Sequence, residues 1–230
     1  MIFLIRKTQK VLIFCFIFFT HNSIAQPITF EVNNSDLVIS LNNKDLRFLS
    51  KTSSSSGEID KTFLFDDLSL KISEINMEDK ILKSDKAEYI LRKNIVNLEK
   101  NVSLELKNKA YPFQLTTENL SLNIDLNVME SNSDVFIQNQ DISIEAKAVK
   151  IDVYEEKRRV TLNQAVIFSK GKKIGQCNSL YFNLFDPLVK MIGSAEILID
   201  DYKINASEIS YNFEENKIIN SKDSSITTLN

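Results

Sequence analysis

The feature that most constrains the fold of this chain is a degenerate repeat of about thirty residues. Its clearest marker is a large apolar or aromatic anchor that recurs at spacings of 33, 29, 31 and 29 residues. A second apolar residue lies two positions before each anchor, and a small residue lies five positions before it. The anchors are Tyr89, Leu122, Ile151, Phe182 and Tyr211; the small residues are Ser84, Thr117, Ala146, Cys177 and Ala206. A fixed period of this length indicates one supersecondary unit repeated along the chain.

Apolar and polar residues alternate around the anchors, as in Leu180-Tyr-Phe182-Asn-Leu184. Alternation with period two places one set of side chains on one face of a strand. Each unit is therefore predicted as a strand, a short polar turn and a second strand that carries an apolar pair. The pairs include Val96/Leu98, Val160/Leu162 and Val189/Met191, and further apolar patches follow at Val102/Leu104, Val135/Ile137, Val166/Phe168 and Ala195/Ile197.

The repeat predicts an all-β fold of stacked antiparallel hairpins, with little helix. A single hairpin leaves one apolar face that it cannot bury, so successive hairpins must pack on each other. Less regular strands precede the series, and the serine run at Ser53–Ser56 predicts a flexible loop over residues 52–58. We expect one continuous domain over 26–230, with a division at the serine run as the alternative.

Residues 1–25 have the pattern of a cleavable secretory signal peptide. Arg6, Lys7 and Lys10 form a basic start, an apolar run follows from Val11 to Phe19, and Ser23-Ile24-Ala25 supplies small residues for cleavage. The apolar run is shorter than the ~20 residues that a membrane-spanning helix needs. We therefore expect export to the periplasm, with a retained inner-membrane anchor as the alternative.

Composition after this segment argues against catalysis. The segment holds the single histidine, His21, and one of the two cysteines, Cys15. The remainder lacks the base of a Ser-His-Asp triad and the His and Cys set that zinc sites use. It also holds six more acidic than basic residues, which argues against a nucleic-acid partner. The sequence predicts no enzyme, no cofactor and no metal.

Three local features admit a functional interpretation beside a structural one. Cys177 could be a reactive thiol, but it occupies the small position of the repeat, which favours packing. Paired carboxylates such as Asp200-Asp201 could serve hydrolysis, although solvated turns explain them more simply. The basic run Lys170–Lys173 is typical of a solvated turn or of a contact with an anionic group.

Several segments together resemble the OstA-like family of lipopolysaccharide-transport proteins, above all its LptA branch. The start Gln26-Pro27-Ile28 is similar to the family's opening, and the segment from Gly175 through Ile197 is similar to its central unit. The run from Ile204 through Ile218 is similar to its closing unit. The family's Gly-Asn-Ala turn has counterparts at Lys100-Asn101-Val102, Asn163-Gln164-Ala165 and Gly193-Ser194-Ala195. Residues 115–135 also resemble the membrane-anchored LptC branch, and the signal peptide favours the soluble bridge.

The resemblance implies a twisted, partly open β-jellyroll whose apolar interior shields the lipid A acyl chains of lipopolysaccharide. It implies a bridge from the inner-membrane export complex to the outer-membrane translocon, joined end to end through edge strands, with a head-to-tail homo-oligomer as one form. The edge residues would be Ile28, Phe30, Val32, Ile218 and Ile226. The lipid-binding residues would be Tyr89, Val96, Leu98, Leu120, Leu122, Met129, Val149, Ile151, Val160, Leu162, Leu180, Phe182, Val189, Met191, Ile209 and Tyr211. The alternatives are an anchored LptC-like component, a structural assembly protein of the envelope with a dry core, and a hydrolase acting through paired carboxylates.

Overall fold

The computed structural model describes residues 4–7, 10–12, 30–41, 44–56, 62–74, 80–106, 113–139, 142–152, 159–183 and 186–229. The chain divides into two compact units, Met1–Lys107 and Asn108–Asn230. The division does not fall at the serine run, which lies inside the first unit. Each unit is described by itself below.

The first unit is built of antiparallel strands in which each strand from β3 to β7 pairs with the next along the chain. β1 pairs with both β2 and β3. A single turn of 3-10 helix, Leu91–Lys93, joins β6 to β7. The strands are β1 (Leu4–Lys7), β2 (Lys10–Leu12), β3 (Phe30–Leu41), β4 (Lys44–Ser56), β5 (Thr62–Glu74), β6 (Lys80–Ile90) and β7 (Ile95–Leu106).

The second unit continues the same construction with shorter segments in its first half. Its strands are β8 (Phe113–Asn123), β9 (Val128–Ser131), β10 (Val135–Asn139), β11 (Ile142–Ala146), β12 (Ala148–Asp152), β13 (Arg159–Ser169), β14 (Lys172–Asn183), β15 (Leu188–Ile199), β16 (Tyr202–Asn212), β17 (Lys217–Lys222) and β18 (Ser225–Thr228). β9 and β10 both pair with β8, β11 and β12 both pair with β13, and β17 and β18 both pair with β16. Each of these pairs of segments is thus one long strand with a break near its middle.

The breaks correct the prediction that the family's Gly-Asn-Ala element is a turn between strands. Lys100 and Asn101 lie inside β7, Gln164 lies inside β13, and Gly193 and Ser194 lie inside β15. All five have positive φ angles. The register shifts beside Lys100 and Asn101 and beside Gly193 and Ser194, so these are β-bulges, which bend a strand without ending it. At Gln164 the pairing with β14 is interrupted without a register shift. The alternation of the sequence changes phase at a bulge as it does at a turn, so periodicity could not distinguish the two.

Three hairpin turns share a different signal, an asparagine five residues after the anchor. Asn94, Asn127 and Asn216 follow Tyr89, Leu122 and Tyr211 by five positions, and each has a φ near +50°. Asparagine tolerates this left-handed conformation better than most residues. These three turns therefore form without glycine, whereas the turn between β13 and β14 contains Gly171 at φ +77°.

The predicted fold class is confirmed. The described chain is almost entirely antiparallel β-structure with stacked hairpins, consistent with a β-jellyroll-like fold, and it contains no α-helix within the described ranges. The segment predicted as a loop, 52–58, is instead strand through Ser56, with Ser53 paired to Val32 on one side and to Phe65 on the other. Gly57 and Glu58 lie outside the described residues. β1 and β2 fall within the predicted signal peptide, whose cleavage remains a prediction.

Candidate functional site

In each unit one face of the strands is buried, and we call this the interior face. Fifteen of the sixteen predicted lipid-binding side chains lie on it, each at most 3% exposed. Phe182, at the end of β14, is half-buried. Nearly all of the side chains predicted for lipid thus lie on the interior face. This face is closely packed, so an acyl chain could reach these residues only by displacing neighbouring side chains.

The interruptions near the middle of the long strands decide which residues belong to the interior face beyond that point. In β13 the buried residues after Gln164 are Ala165 and Ile167, at 1% exposure each. Val166 and Phe168, predicted for this patch, are half-buried and alternate with them. The buried face changes phase at Gln164, so that Ala165 is equivalent to Ala195 and Val102 of the other repeats. The patches at Val102/Leu104, Val135/Ile137 and Ala195/Ile197 are buried as predicted.

Predicted Tyr89 belongs to an aromatic cluster in the first unit whose phenylalanines were missing from the predicted set of interior residues. The ring of Phe48 stacks on Phe65 with centroids 5.1 Å apart and lies 5.4 Å from Tyr89. Phe63, the cross-strand partner of Tyr89, stacks on it with centroids 6.3 Å apart. These residues come from β4, β5 and β6, so no local pattern links them. Phe48 and Phe65 lie before the regular part of the repeat, where sequence alignment of the units gives no guide.

The two tyrosine anchors use their hydroxyl groups in the same way. Tyr89 donates to Asn94 Oδ1 at 3.1 Å, and Tyr211 donates to Asn216 Oδ1. The asparagine is the left-handed residue of the hairpin turn in both cases. A buried phenol needs a hydrogen-bond partner, and here the adjoining turn supplies it. Tyrosine at the anchor therefore ties the turn to the interior face.

The small residues of the repeat lie opposite the bulges on the interior face. Thr117 Oγ1 approaches Ser131 Oγ at 3.0 Å and Ser133 Oγ at 3.1 Å, and it donates to the backbone carbonyl of Asp134 at 2.9 Å. Ser131 and Ser133 are themselves 3.0 Å apart. These hydroxyl groups hydrogen-bond one another and the carbonyl of Asp134 at the break between β9 and β10.

Cys177 occupies the same position in β14, and its environment argues for packing. The thiol is buried and unpaired with any other cysteine. Burial raises the pKa of the Cys177 thiol to about 11, against a smaller opposing effect of a hydrogen bond with the backbone of Ile192. Since the thiolate is the reactive form, this residue is a poor nucleophile in the folded chain.

We therefore expect Cys177 to react slowly with a disulfide reagent at pH 8 until the chain unfolds. The ordinary pKa of 9.0 returns on unfolding. The unfolded chain thus loses its proton first, and stability is full below about pH 9 and declines between about pH 9 and 11. A Cys15→Ser background isolates this thiol. Rapid labelling of the folded chain at pH 8 would contradict the packing role. Cys177→Ala is the control that should remove this part of the pH dependence, since alanine fills the equivalent position at Ala146 and Ala206.

The C-terminal segments β17 and β18 form an edge in the described pairings, because they pair only with β16. Ile226, one of the predicted edge residues, is 68% exposed, and Ile218 is half-buried. Phe30 and Val32 belong to β3, paired with Ser55 and Ser53 of β4; nothing is described of their side chains. Ile28 lies outside the described residues. An edge with free backbone groups can accept a further strand.

Polar groups elsewhere form cross-strand pairs on the outer face. Lys150 pairs with Glu130 at 2.6 Å and Lys190 pairs with Glu208 at 2.7 Å, both partly exposed. Such pairs contribute little to stability. Asp200 and Asp201, the candidate hydrolytic pair, are exposed in the turn between β15 and β16. Within the described ranges, no group of three or more His, Cys, Asp or Glu could hold a metal ion.

Comparison with known proteins places this repeat in a family. The family described as "Lipopolysaccharide-assembly, LptC-related" matches residues 48–167, which include β5 through β12 and three of the five anchors, Tyr89, Leu122 and Ile151. No curated protein matches the chain. In the described part of the chain, no helix is long and apolar enough to cross a membrane. The match covers more than half of the chain, so the chain belongs to the LptC-related lipopolysaccharide-assembly family and takes part in lipopolysaccharide transport.

Proposed function

We propose that this chain is an exported component that carries the acyl chains of lipopolysaccharide on its interior face, between the inner-membrane export complex and the outer-membrane translocon. The observation that supports this most directly is the recurrence of a buried apolar face in each unit. In the first unit β4 to β7 contribute buried apolar side chains to it, and in the second unit β8 to β16 do so. In a family of lipopolysaccharide transport, strands that repeat the same face offer an acyl chain equivalent contacts.

The packing of the interior face bears on how lipid would enter. Its residues are nearly inaccessible, so entry requires side chains to exchange their contacts for contacts with an acyl chain. Met129 and Met191 suit this exchange, because methionine is flexible and fills irregular spaces. Apolar surface remains buried before and after the exchange. Lipid can therefore replace protein contacts at a modest net cost in free energy.

Photo-crosslinking at matched positions tests the proposal. Leu180 and Met191 are paired across β14 and β15 on the interior face, and Tyr181 and Lys190 are paired beside them on the outer face. Photoreactive residues at Leu180 and Met191 are expected to capture lipopolysaccharide in intact cells, because these positions lie where the acyl chains would run. Equal capture from Tyr181 and Lys190 would overturn the proposal. If no position captured lipid, the result would favour an assembly protein with a dry core.

A second candidate role is the membrane-anchored component of the same system. The LptC-related match favours it, whereas the pattern of residues 1–25 favours a cleaved and therefore soluble bridge. The N-terminal residue of the exported protein separates the two. A chain that begins at Gln26 supports the bridge, and a chain that retains residues 1–25 supports the anchored component.

The hydrolase alternative has a simple test. Family membership favours a transport component over an enzyme. Replacing Asp200 and Asp201 together by asparagine is expected to leave lipopolysaccharide export unchanged, because both residues are exposed in a turn. Loss of export in a variant that still folds would revive a role for this pair.

A further inference from the structure

Ser84 differs from the other small residues of the repeat in having a hydroxyl group without a partner. It lies on the interior face of β6 and is 4% exposed. Its Oγ is the one buried side-chain oxygen or nitrogen in the described part of the chain that makes no hydrogen bond. Leaving a buried hydroxyl unpaired destabilises the folded chain. A polar atom kept in this state calls for an explanation beyond packing.

The equivalent positions show that the fold does not require a hydroxyl group here. Ala146 and Ala206 occupy the same slot with no polar atom. Thr117 carries a hydroxyl but bonds it to Ser131 and to the carbonyl of Asp134. The thiol of Cys177 meets the backbone of Ile192. Only Ser84 combines burial, a strong hydrogen-bonding group and no protein partner among these five positions.

The surroundings of Ser84 on the interior face are apolar. Leu68 is its directly opposite residue on β5, and it is 2% exposed. Leu82 and Ala87 flank Ser84 along β6 on the same face, and both are buried. The bulge at Lys100 and Asn101 lies on the other side, where the register between β6 and β7 shifts. The hydroxyl thus belongs to the face that we propose for acyl chains.

We propose that Ser84 is a specificity-determining residue that hydrogen-bonds an oxygen atom carried on an acyl chain, either a hydroxyl group or an ester carbonyl. This inference rests on the proposed function of the interior face. An unsubstituted hydrocarbon chain at this position leaves the Ser84 hydroxyl unpaired. An acyl chain with an oxygen near its head group forms a hydrogen bond with the Ser84 hydroxyl, so that neither group is left unpaired. A serine can both donate and accept such a bond. Ser84 therefore selects oxygen-bearing acyl chains over plain ones.

A cycle of protein and ligand variants measures this contact. The ligands are a β-hydroxy fatty acid, its unsubstituted parent acid of equal chain length, and the methyl ester of that parent, each competing with a fluorescent acyl probe. The proteins are the wild type and Ser84→Ala, with Ser69→Ala as the control on the outer face of β5. The wild type is expected to bind the β-hydroxy acid or the ester more tightly than the plain acid. Ser84→Ala is expected to weaken the binding of that preferred ligand by about three- to tenfold and to leave the binding of the plain acid unchanged.

The outcomes separate this inference from the proposed function. If both acids and the ester bind and Ser84→Ala changes all three affinities equally, or changes none, the inference is overturned and the carrier function stands. If no ligand binds to the wild type, both are overturned. The ester distinguishes a hydroxyl from a carbonyl as the recognised group. Thermal unfolding gives an independent readout: Ser84→Ala is expected to raise the unfolding midpoint by a few degrees without lipid, because it removes an unpaired buried hydroxyl.

Discussion

Proline in place of Ile226 is expected to abolish strand addition at the C-terminal edge while leaving the second unit folded. The register supplies the reason. The N–H of Leu229 donates to the carbonyl of Asp201 at 2.7 Å, and Thr227 pairs with Lys203 in the same register. Backbone groups of an antiparallel strand alternate in direction. The N–H groups of Leu229 and Thr227 are therefore directed at β16, and that of Ile226 is directed away from it, toward an added strand.

The geometry makes this substitution selective. Proline lacks the N–H that an incoming strand would use, and its ring occupies that side of the edge. It is tolerated on edge strands whose N–H faces solvent. We expect association with an envelope partner, or with a second copy, to fall at least about tenfold, since a loss of 1.4 kcal/mol already gives that factor. A photoreactive residue at Thr227 would report the association in cells, and sedimentation would report self-association.

Two controls separate the backbone from the side chain at this edge. Ile226→Ala keeps the N–H group and removes the exposed side chain, so it is expected to retain most of the association. Thr227→Pro removes an N–H directed at β16 and is expected to detach β18 and lower stability. Unchanged association in a folded Ile226→Pro variant would show that partners do not join through this edge.

Replacement of Phe48 by alanine is expected to destabilise the first unit by about 3–5 kcal/mol. The ring is completely buried and contacts both Phe65 and Tyr89. Its removal forfeits the burial of a large side chain and leaves a cavity bordered by two rings. Since whole domains are stable by about 5–15 kcal/mol, this is a large share of the stability of the unit. Urea unfolding followed by near-ultraviolet circular dichroism, which reports the packing of aromatic rings, measures it.

The adjacent residue provides the matched comparison. Leu49 follows Phe48 in β4, faces outward and is 39% exposed. Leu49→Ala is expected to change stability by about 0.5 kcal/mol or less. Similar losses in the two variants would mean that the cluster of Phe48, Phe65 and Tyr89 is not the core of the first unit.

The predicted interior residues were largely correct because strand periodicity is a local property. From Leu180 to Phe182, or from Val189 to Met191, each step of two residues returns to the same face. Errors appeared where the backbone changes phase within a strand. Val166 and Phe168 were predicted for the interior face, and Ala165 and Ile167 occupy it, because the buried face changes phase at Gln164, which has a positive φ. Apolar character alone does not reveal that change of phase, since all four residues are apolar.

The predicted edges illustrate a second limit. Apolar residues at Ile218 and Ile226 suggested strands, but free backbone groups are identified only by knowing which strands pair. The aromatic cluster shows the same limit, since Phe48, Phe65 and Tyr89 lie on three strands separated by long stretches of chain. Contacts of this kind depend on register, which couples residues that no sequence window contains together.

By itself, the sequence determined that the chain is a repeat of antiparallel strands with one apolar face, because alternation and period are written in neighbouring residues. It also supplied the resemblance to lipopolysaccharide-transport proteins that the family match supports. The tertiary structure alone decided that the Gly-Asn-Ala element bends strands instead of ending them, that Ile226 directs its N–H outward, and that the hydroxyl of Ser84 is buried without a partner. Each of these depends on what a neighbouring strand brings to the residue, and that is set by register.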